Sequence, residues 1–80
     1  MHELGIMFNI VRSVESFAAK NQVSKIDTLV LTVGDESPVV PHYLEACYPA
    51  AVDGTMMEET KLKIEIVPGK EFMIKEIVAC

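Results

Sequence analysis

Ile26-Asp27-Thr28-Leu29-Val30-Leu31-Thr32-Val33, closed by Gly34-Asp35-Glu36-Ser37-Pro38, is the stretch on which the fold of this 80-residue chain turns. Leu29, Leu31 and Val33 fall on one face of an extended segment, and Thr28, Val30 and Thr32 fall on the other. β-Branched enrichment with a period of two predicts a strand. The glycine, acidic residues and proline that follow are turn formers and end it.

Toward the N-terminus, Leu4, Met7, Phe8, Val11, Val14 and Ala18 recur three or four residues apart, with Ile10 and Phe17 widening the stripe. That spacing predicts a core-facing helix from Leu4 to about Lys20. Asn21, which tolerates the left-handed conformation, marks its end. Toward the C-terminus, a second helix is expected from Val40 or Pro41 to Val52, with Leu44, Cys47, Tyr48 and Ala51 on one side. Pro41 suits a first turn, and Ser37 or a neighbour can cap it. Pro49 predicts a kink or an early end, because an interior proline removes a hydrogen bond and crowds the preceding turn. Asp53-Gly54 closes the segment.

Leu62, Ile64 and Ile66 alternate with Lys61, Lys63 and Glu65 as in a half-buried strand. Lys70 to Val78 reads as another, with Phe72, Ile74 and Val78 on one face. The two strands are expected to pair. Pro68-Gly69 between them sits awkwardly with that, since a type II turn splays a tight hairpin. The order α-β-α-β-β, without repeat or low-complexity linker, predicts an α+β fold: two helices packed on one face of a three-stranded mixed sheet. Residues 1–80 form one domain on length alone.

Half the residues are hydrophobic and 24% are charged, an ordinary globular composition. A chain this short buries only about 60% of its unfolded surface, so its core is thin. A carrier, adaptor or binding module fits that size better than a self-contained enzyme. Seven basic residues against 12 acidic ones give a net charge of −5. Phosphate neutralisation needs a basic face, so nucleic acid is excluded as the expected partner, as are anionic membrane surfaces. No apolar stretch approaches the roughly 20 residues of a membrane span. His2 and Glu3 lead directly into an amphipathic segment rather than a signal sequence, and a cytoplasmic location is expected. Cys47 and Cys80 are the two cysteines, with no CxxC motif. They indicate no disulfide framework and cannot by themselves build a four-thiolate zinc site.

The sharpest chemical feature is Met1-His2-Glu3. A residue as bulky as His2 disfavours removal of the initiator methionine, which leaves the free amine on Met1. That amine, the His2 amide nitrogen and the His2 imidazole can close two fused chelate rings around one ion. Glu3 can add its amide nitrogen or a carboxylate oxygen. Nitrogen-rich tetragonal surroundings suit Ni(II) or Cu(II), and the affinity order favours copper, so geometry alone does not choose nickel. The plainer reading of His2 is a solvated terminal side chain.

The remaining candidates are weaker. His42, near the start of the second helix, can add a ligand from a neighbouring loop or chain, or can be an ordinary surface histidine. Cys47 reads as a small core residue and Cys80 as an exposed terminal thiol. Asp35 and Glu36 are a carboxylate pair in a turn, with no nucleophile or oriented histidine to complete a catalytic site. Met7, Met56 and Met57 read as apolar filler. No glycine-rich phosphate loop is present.

In these residues the chain resembles the HypA/HybF family of hydrogenase nickel-incorporation factors. The resemblance rests on the opening Met-His-Glu-Leu and its helix, on Leu31-Thr-Val-Gly-Asp-Glu-Ser-Pro-Val-Val-Pro41, on Lys61-Leu-Lys-Ile-Glu-Ile-Val67 and on Gly69-Lys-Glu-Phe-Met-Ile-Lys-Glu-Ile77. It covers essentially the whole chain and implies a metallochaperone, not an enzyme. It further implies Ni(II) held by the Met1 amine and by the amide and side chain of His2, with Glu3 as a ligand or a supporting group. The partners it implies are the HypB nickel-handling GTPase and the large subunit of NiFe-hydrogenase, with urease maturation served by some members.

One departure is large. Members of this family carry a zinc module with two CxxC pairs between the last two strands. Here Ile66-Val67-Pro68 runs straight into Gly69-Lys70-Glu71, so the module is missing between about residues 67 and 70. No structural zinc is expected. Family-like flanks on both sides favour an engineered removal over a naturally shortened paralogue. A competing reading makes the chain a protein-interaction module with an idle N-terminus, in which a strained short connection invites a domain-swapped dimer.

Overall fold

The computed structural model describes residues 2–80. Five elements follow in the expected order: α1 (Glu3–Lys20), β1 (Ile26–Gly34), α2 (Pro41–Val52), β2 (Lys61–Val67) and β3 (Phe72–Ala79). They form the predicted α+β architecture, two helices with a mixed three-stranded sheet in the order β2-β1-β3. β1 runs parallel to β2 and antiparallel to β3.

The sheet order corrects one expectation. β2 and β3 do not pair with each other, because β1 lies between them. The four residues Pro68–Glu71 carry the chain across the end of β1 instead of turning a hairpin. This crossing is fastened to the turn after β1. The amides of Gly34, Asp35 and Glu36 donate to the carbonyls of Glu71, Val67 and Gly69, and the Gly69 amide donates to Asp35 Oδ1 at 3.0 Å. Proline lacks an amide proton to spend in a hairpin ladder, so Pro68 sits naturally in such a crossing. Asp35 thus secures the turn, with its carboxylate on the crossing rather than facing Glu36 as an acid–base pair.

The central position of β1 accounts for its burial. Leu29, Leu31 and Val33 are fully buried on the helix side, and Val30 and Thr32 are buried on the other. By register, Leu62, Ile64 and Ile66 of β2 lie on the same face as Leu29, Leu31 and Val33. On β3 the helix-side residues are Phe72, Ile74 and then Ile77, because Lys75 is an extra residue opposite the Val30/Leu31 step. That bulge reverses the alternation and turns Val78, expected with Phe72 and Ile74, toward the outer face beside Thr28. On this outer face Lys75 of β3 reaches across β1 to Glu65 of β2 at 2.7 Å.

α1 buries Met7, Ile10, Val11, Val14 and Ala18 and closes at Asn21, whose backbone and side-chain nitrogens both donate to the Phe17 carbonyl. Asn21 itself is not left-handed; that role passes to Gln22 at φ 57°. α2 buries Leu44, Tyr48, Ala51 and Val52 and continues through Pro49 rather than ending there. Its cap residue is Val40, whose own side chain makes no capping hydrogen bond. Ser37 instead accepts from the Val39 amide at 3.1 Å, short of the helix. Tyr48 donates to the Thr60 carbonyl at 2.9 Å, and Thr60 Oγ1 donates to the Ile26 carbonyl at 2.7 Å, tying α2 through its exit loop to β1. Burial pushes the Tyr48 phenol up to about 12, so it stays a donor.

Candidate metal centre

The first turn of α1 sets up the site. His2 is the residue before the helix, already near helical geometry at φ −89°, ψ −12°, and its side chain makes no capping hydrogen bond. Its carbonyl accepts the first helical bond, from Ile6 at 2.9 Å. The imidazole is exposed and unspent on the fold. Backbone amides at a helix start have no carbonyl above them. A chelate that takes the His2 amide therefore breaks no helical hydrogen bond. The Met1 amine assigned to the same chelate lies outside the described residues.

Glu3 is in a different position. It is 8% exposed, and Oε2 accepts from the Val40 amide at 3.3 Å. The carboxylate also bonds its own backbone amide, and these two donors hold it below the usual carboxylate range. Glu3 thus joins the first residue of α1 to the residue preceding α2, supplying the cap that no side chain of the 37–40 loop provides. A nickel ion drawing on the Glu3 amide would have to displace the residue's own carboxylate. His2 is thus exposed at the start of the helix, while Glu3 is held against the segment that leads into α2.

Beside this turn lies an open cleft of about 520 Å³, lined by Glu3, Leu4, Tyr43, Ala46 and Cys47. Sequence reasoning did not find it, nor the Glu3–Val40 contact. Both depend on residues nearly 40 positions apart, and neither leaves a periodic or local trace in the chain. Cys47 is half-buried on the inner side of α2, as a small apolar residue would be, and Cys80 is exposed. His42 is exposed on α2 with its ring 6.2 Å from that of Tyr43. Among the described residues, no three His, Cys, Asp or Glu side chains gather to hold a metal. No helix is long and apolar enough to cross a membrane among the described residues.

Comparison with known proteins gives the family. Residues 1–77 match the family model described as hydrogenase/urease nickel incorporation, metallochaperone, HypA. The chain is 38% identical over 69 residues to hydrogenase maturation factor HypA from a Geobacter species, covering 86% of this chain and 60% of that protein. It is 38% identical over 69 residues to the protein of the same name from a Nostoc species, covering 58% of it. The chain therefore spans about 60% of the length of these relatives. Among solved structures, the Ni metallochaperone HypA from Helicobacter pylori superposes with a TM-score of 0.77 over 95% of this chain and 72% of that one. At 18% identity that likeness is one of fold.

Proposed function

This chain belongs to the HypA family, and from that premise we propose that it is a nickel carrier that binds Ni(II) through Met1 and His2 and passes it on during maturation of NiFe-hydrogenase. The observation that carries the reading is the family match over residues 1–77, which includes Met1-His2-Glu3. The exposed imidazole and helix-free amide of His2 support it. The donors are the Met1 amine, the His2 amide nitrogen and the His2 imidazole. Glu3 orients the turn and can supply its amide only by giving up an internal hydrogen bond.

The chemistry is ligand exchange rather than catalysis. Three donors from adjacent residues leave coordination positions open, so a partner's ligands can enter before these leave. The partners we infer are the HypB GTPase and the hydrogenase large subunit, with urease maturation as a second outlet, in the cytoplasm. The acidic net charge suits basic partners and cations. The short Pro68–Glu71 crossing stands where a zinc module would enter, and two cysteines cannot replace its four thiolates, so we expect this domain to carry no structural zinc.

Calorimetric titration of Ni(II) into untagged protein with a free Met1 amine tests the reading. Stoichiometric binding is expected, lost in His2→Ala and lost when the amine is acetylated. Undiminished binding in either altered protein would remove the site from the N-terminus.

A further inference from the structure

β2 is an edge strand whose outer side no other strand occupies among the described residues. Its register with β1 runs unbroken from Lys61 to Val67, so the edge is regular. The opposite edge differs, because β3 carries the bulge at Lys75. A flat edge with free amides and carbonyls is a template for another strand.

The side chains of β2 state which strand fits. Ile66 lies on the helix side of the sheet with Leu62 and Ile64, yet it is 57% exposed and stands outside the core cluster that the other two join. Immediately beside the edge is a second cleft of about 520 Å³, between α2 and β2, where Tyr48, Pro49, Val52 and Leu62 stand together with the polar Glu45, Glu58, Thr60 and Lys61. Its apolar members are placed to receive an apolar side chain arriving next to Leu62.

We propose that a second copy of this chain pairs with the β2 edge, antiparallel and with the two-fold axis through Ile64. In that register Leu62 faces the partner's Ile66, Lys63 faces the partner's Glu65, and Ile64 meets its own copy. Each Ile66 comes down beside the other subunit's Leu62, against the α2–β2 cleft. The sheet becomes six strands with all four helices on one side. Such an isologous contact uses every interaction twice.

The neighbouring registers are worse on inspection. Centring the pair on Lys63 sets lysine against lysine, and centring it on Glu65 sets glutamate against glutamate, both destabilising directly across a ladder. A shift by a single residue sets the two pleats out of phase and lays the partner's charges beside apolar residues. The Lys63 side chain is 65% exposed and makes a long ion pair of 3.7 Å with Glu65 of its own chain, whereas Glu65 takes its short contact from Lys75, so Lys63 can turn to the partner's Glu65 at the loss of a weak contact.

The test is sedimentation velocity on the full chain, in chelator to remove metal-bridged species, over a concentration series reaching millimolar protein. The wild type is expected to show a reversible monomer–dimer equilibrium. Lys63→Glu places glutamate opposite glutamate twice per dimer and should weaken association about 10-fold or more. Glu65→Lys does the same with lysines. Mixed in equal amounts, the two variants restore both opposite-charge pairs and should form a heterodimer that neither forms alone. Ile66→Ser should weaken the dimer without altering the circular dichroism of the monomer. A wild type that stays monomeric throughout would overturn the proposal. So would a dimer indifferent to both charge reversals, the result expected of domain swapping or of pairing through β3.

Discussion

A β-carbon on Gly34 would stand 2.1 Å from the carbonyl oxygen of Gly69 and 2.8 Å from the amide nitrogen of Glu71. Both atoms are backbone, held in place by the hydrogen bonds of the crossing, so no side-chain rotation relieves the overlap. Gly34→Ala is expected to cost about 3 kcal/mol, the upper end for overpacking at a tight site. Gly5 offers the opposite case. Nothing lies within 4 Å of the position its β-carbon would take, and it sits inside α1. Gly5→Ala should stabilise by up to about 1 kcal/mol through helix propensity. Urea midpoints of the two variants should move in opposite directions; a neutral Gly34→Ala would mean that the crossing can lift away from β1. This residue scale is also where the sequence was least legible for the candidate site. The identity of His2 raises the expectation of a metal donor, since an imidazole beside a terminal amine can close a chelate. The work of Glu3 announces nothing, because its acceptor role is completed by the amide of Val40 far along the chain.

Between elements, the Glu65–Lys75 bridge ties the two outer strands together across β1. Its hydrogen bond from Lys75 holds the Glu65 carboxyl below its ordinary 4.5, and the same contact raises Lys75 above its ordinary 10.5. A lowered carboxyl contributes stability that is complete above pH 4.5 and fades as pH falls through the lowered value. A raised amine contributes below pH 10.5 and loses its effect as pH climbs through the raised value. The bridge therefore acts across the neutral range and vanishes at both extremes. Lys75 is exposed and Glu65 only half-buried, so the effect is small. Denaturation midpoints of wild type and Lys75→Met should differ by a constant small amount between those limits and converge in acid; a difference that persists at pH 2 would assign the loss to packing of the lysine stem over β1. At this scale the sequence was largely legible. Alternation located all three strands and helical spacing located both helices, since each pattern is local. The sheet order was not, because which strand lies between two others depends on where the connections cross. Val30 among threonines was the available hint that β1 is buried on both faces, and Pro68-Gly69 was the hint that β2 and β3 are not a hairpin. The bulge at Lys75, which exchanges Ile77 for Val78 on the inner face, leaves no mark in the alternation.

For the whole molecule, the question is whether carrying nickel and being folded are one property or two. A ligand stabilises a fold only to the extent that it prefers the native state over the unfolded one. Sites assembled from distant residues exist only after folding, and their binding energy becomes folding energy. At a free metal concentration about 100 times the dissociation constant, such a site adds about 2.7 kcal/mol. For a domain of this length that raises Tm by more than about 10 °C. The chelate proposed here is made by adjacent residues, Met1 and His2, and an unfolded chain presents it almost as well. Nickel should then leave Tm within about 2 °C of its metal-free value, even under saturation. The same reasoning makes His2→Ala lose its nickel while keeping its midpoint, since the residue is exposed and its side chain makes no capping hydrogen bond. Differential scanning calorimetry of wild type and His2→Ala, each with and without saturating Ni(II), separates the cases. A large nickel-dependent rise would mean that a residue held in place by the fold, such as His42, completes the coordination. A negligible rise fits a carrier whose cargo hangs from the start of α1, where a partner can take it without unfolding anything.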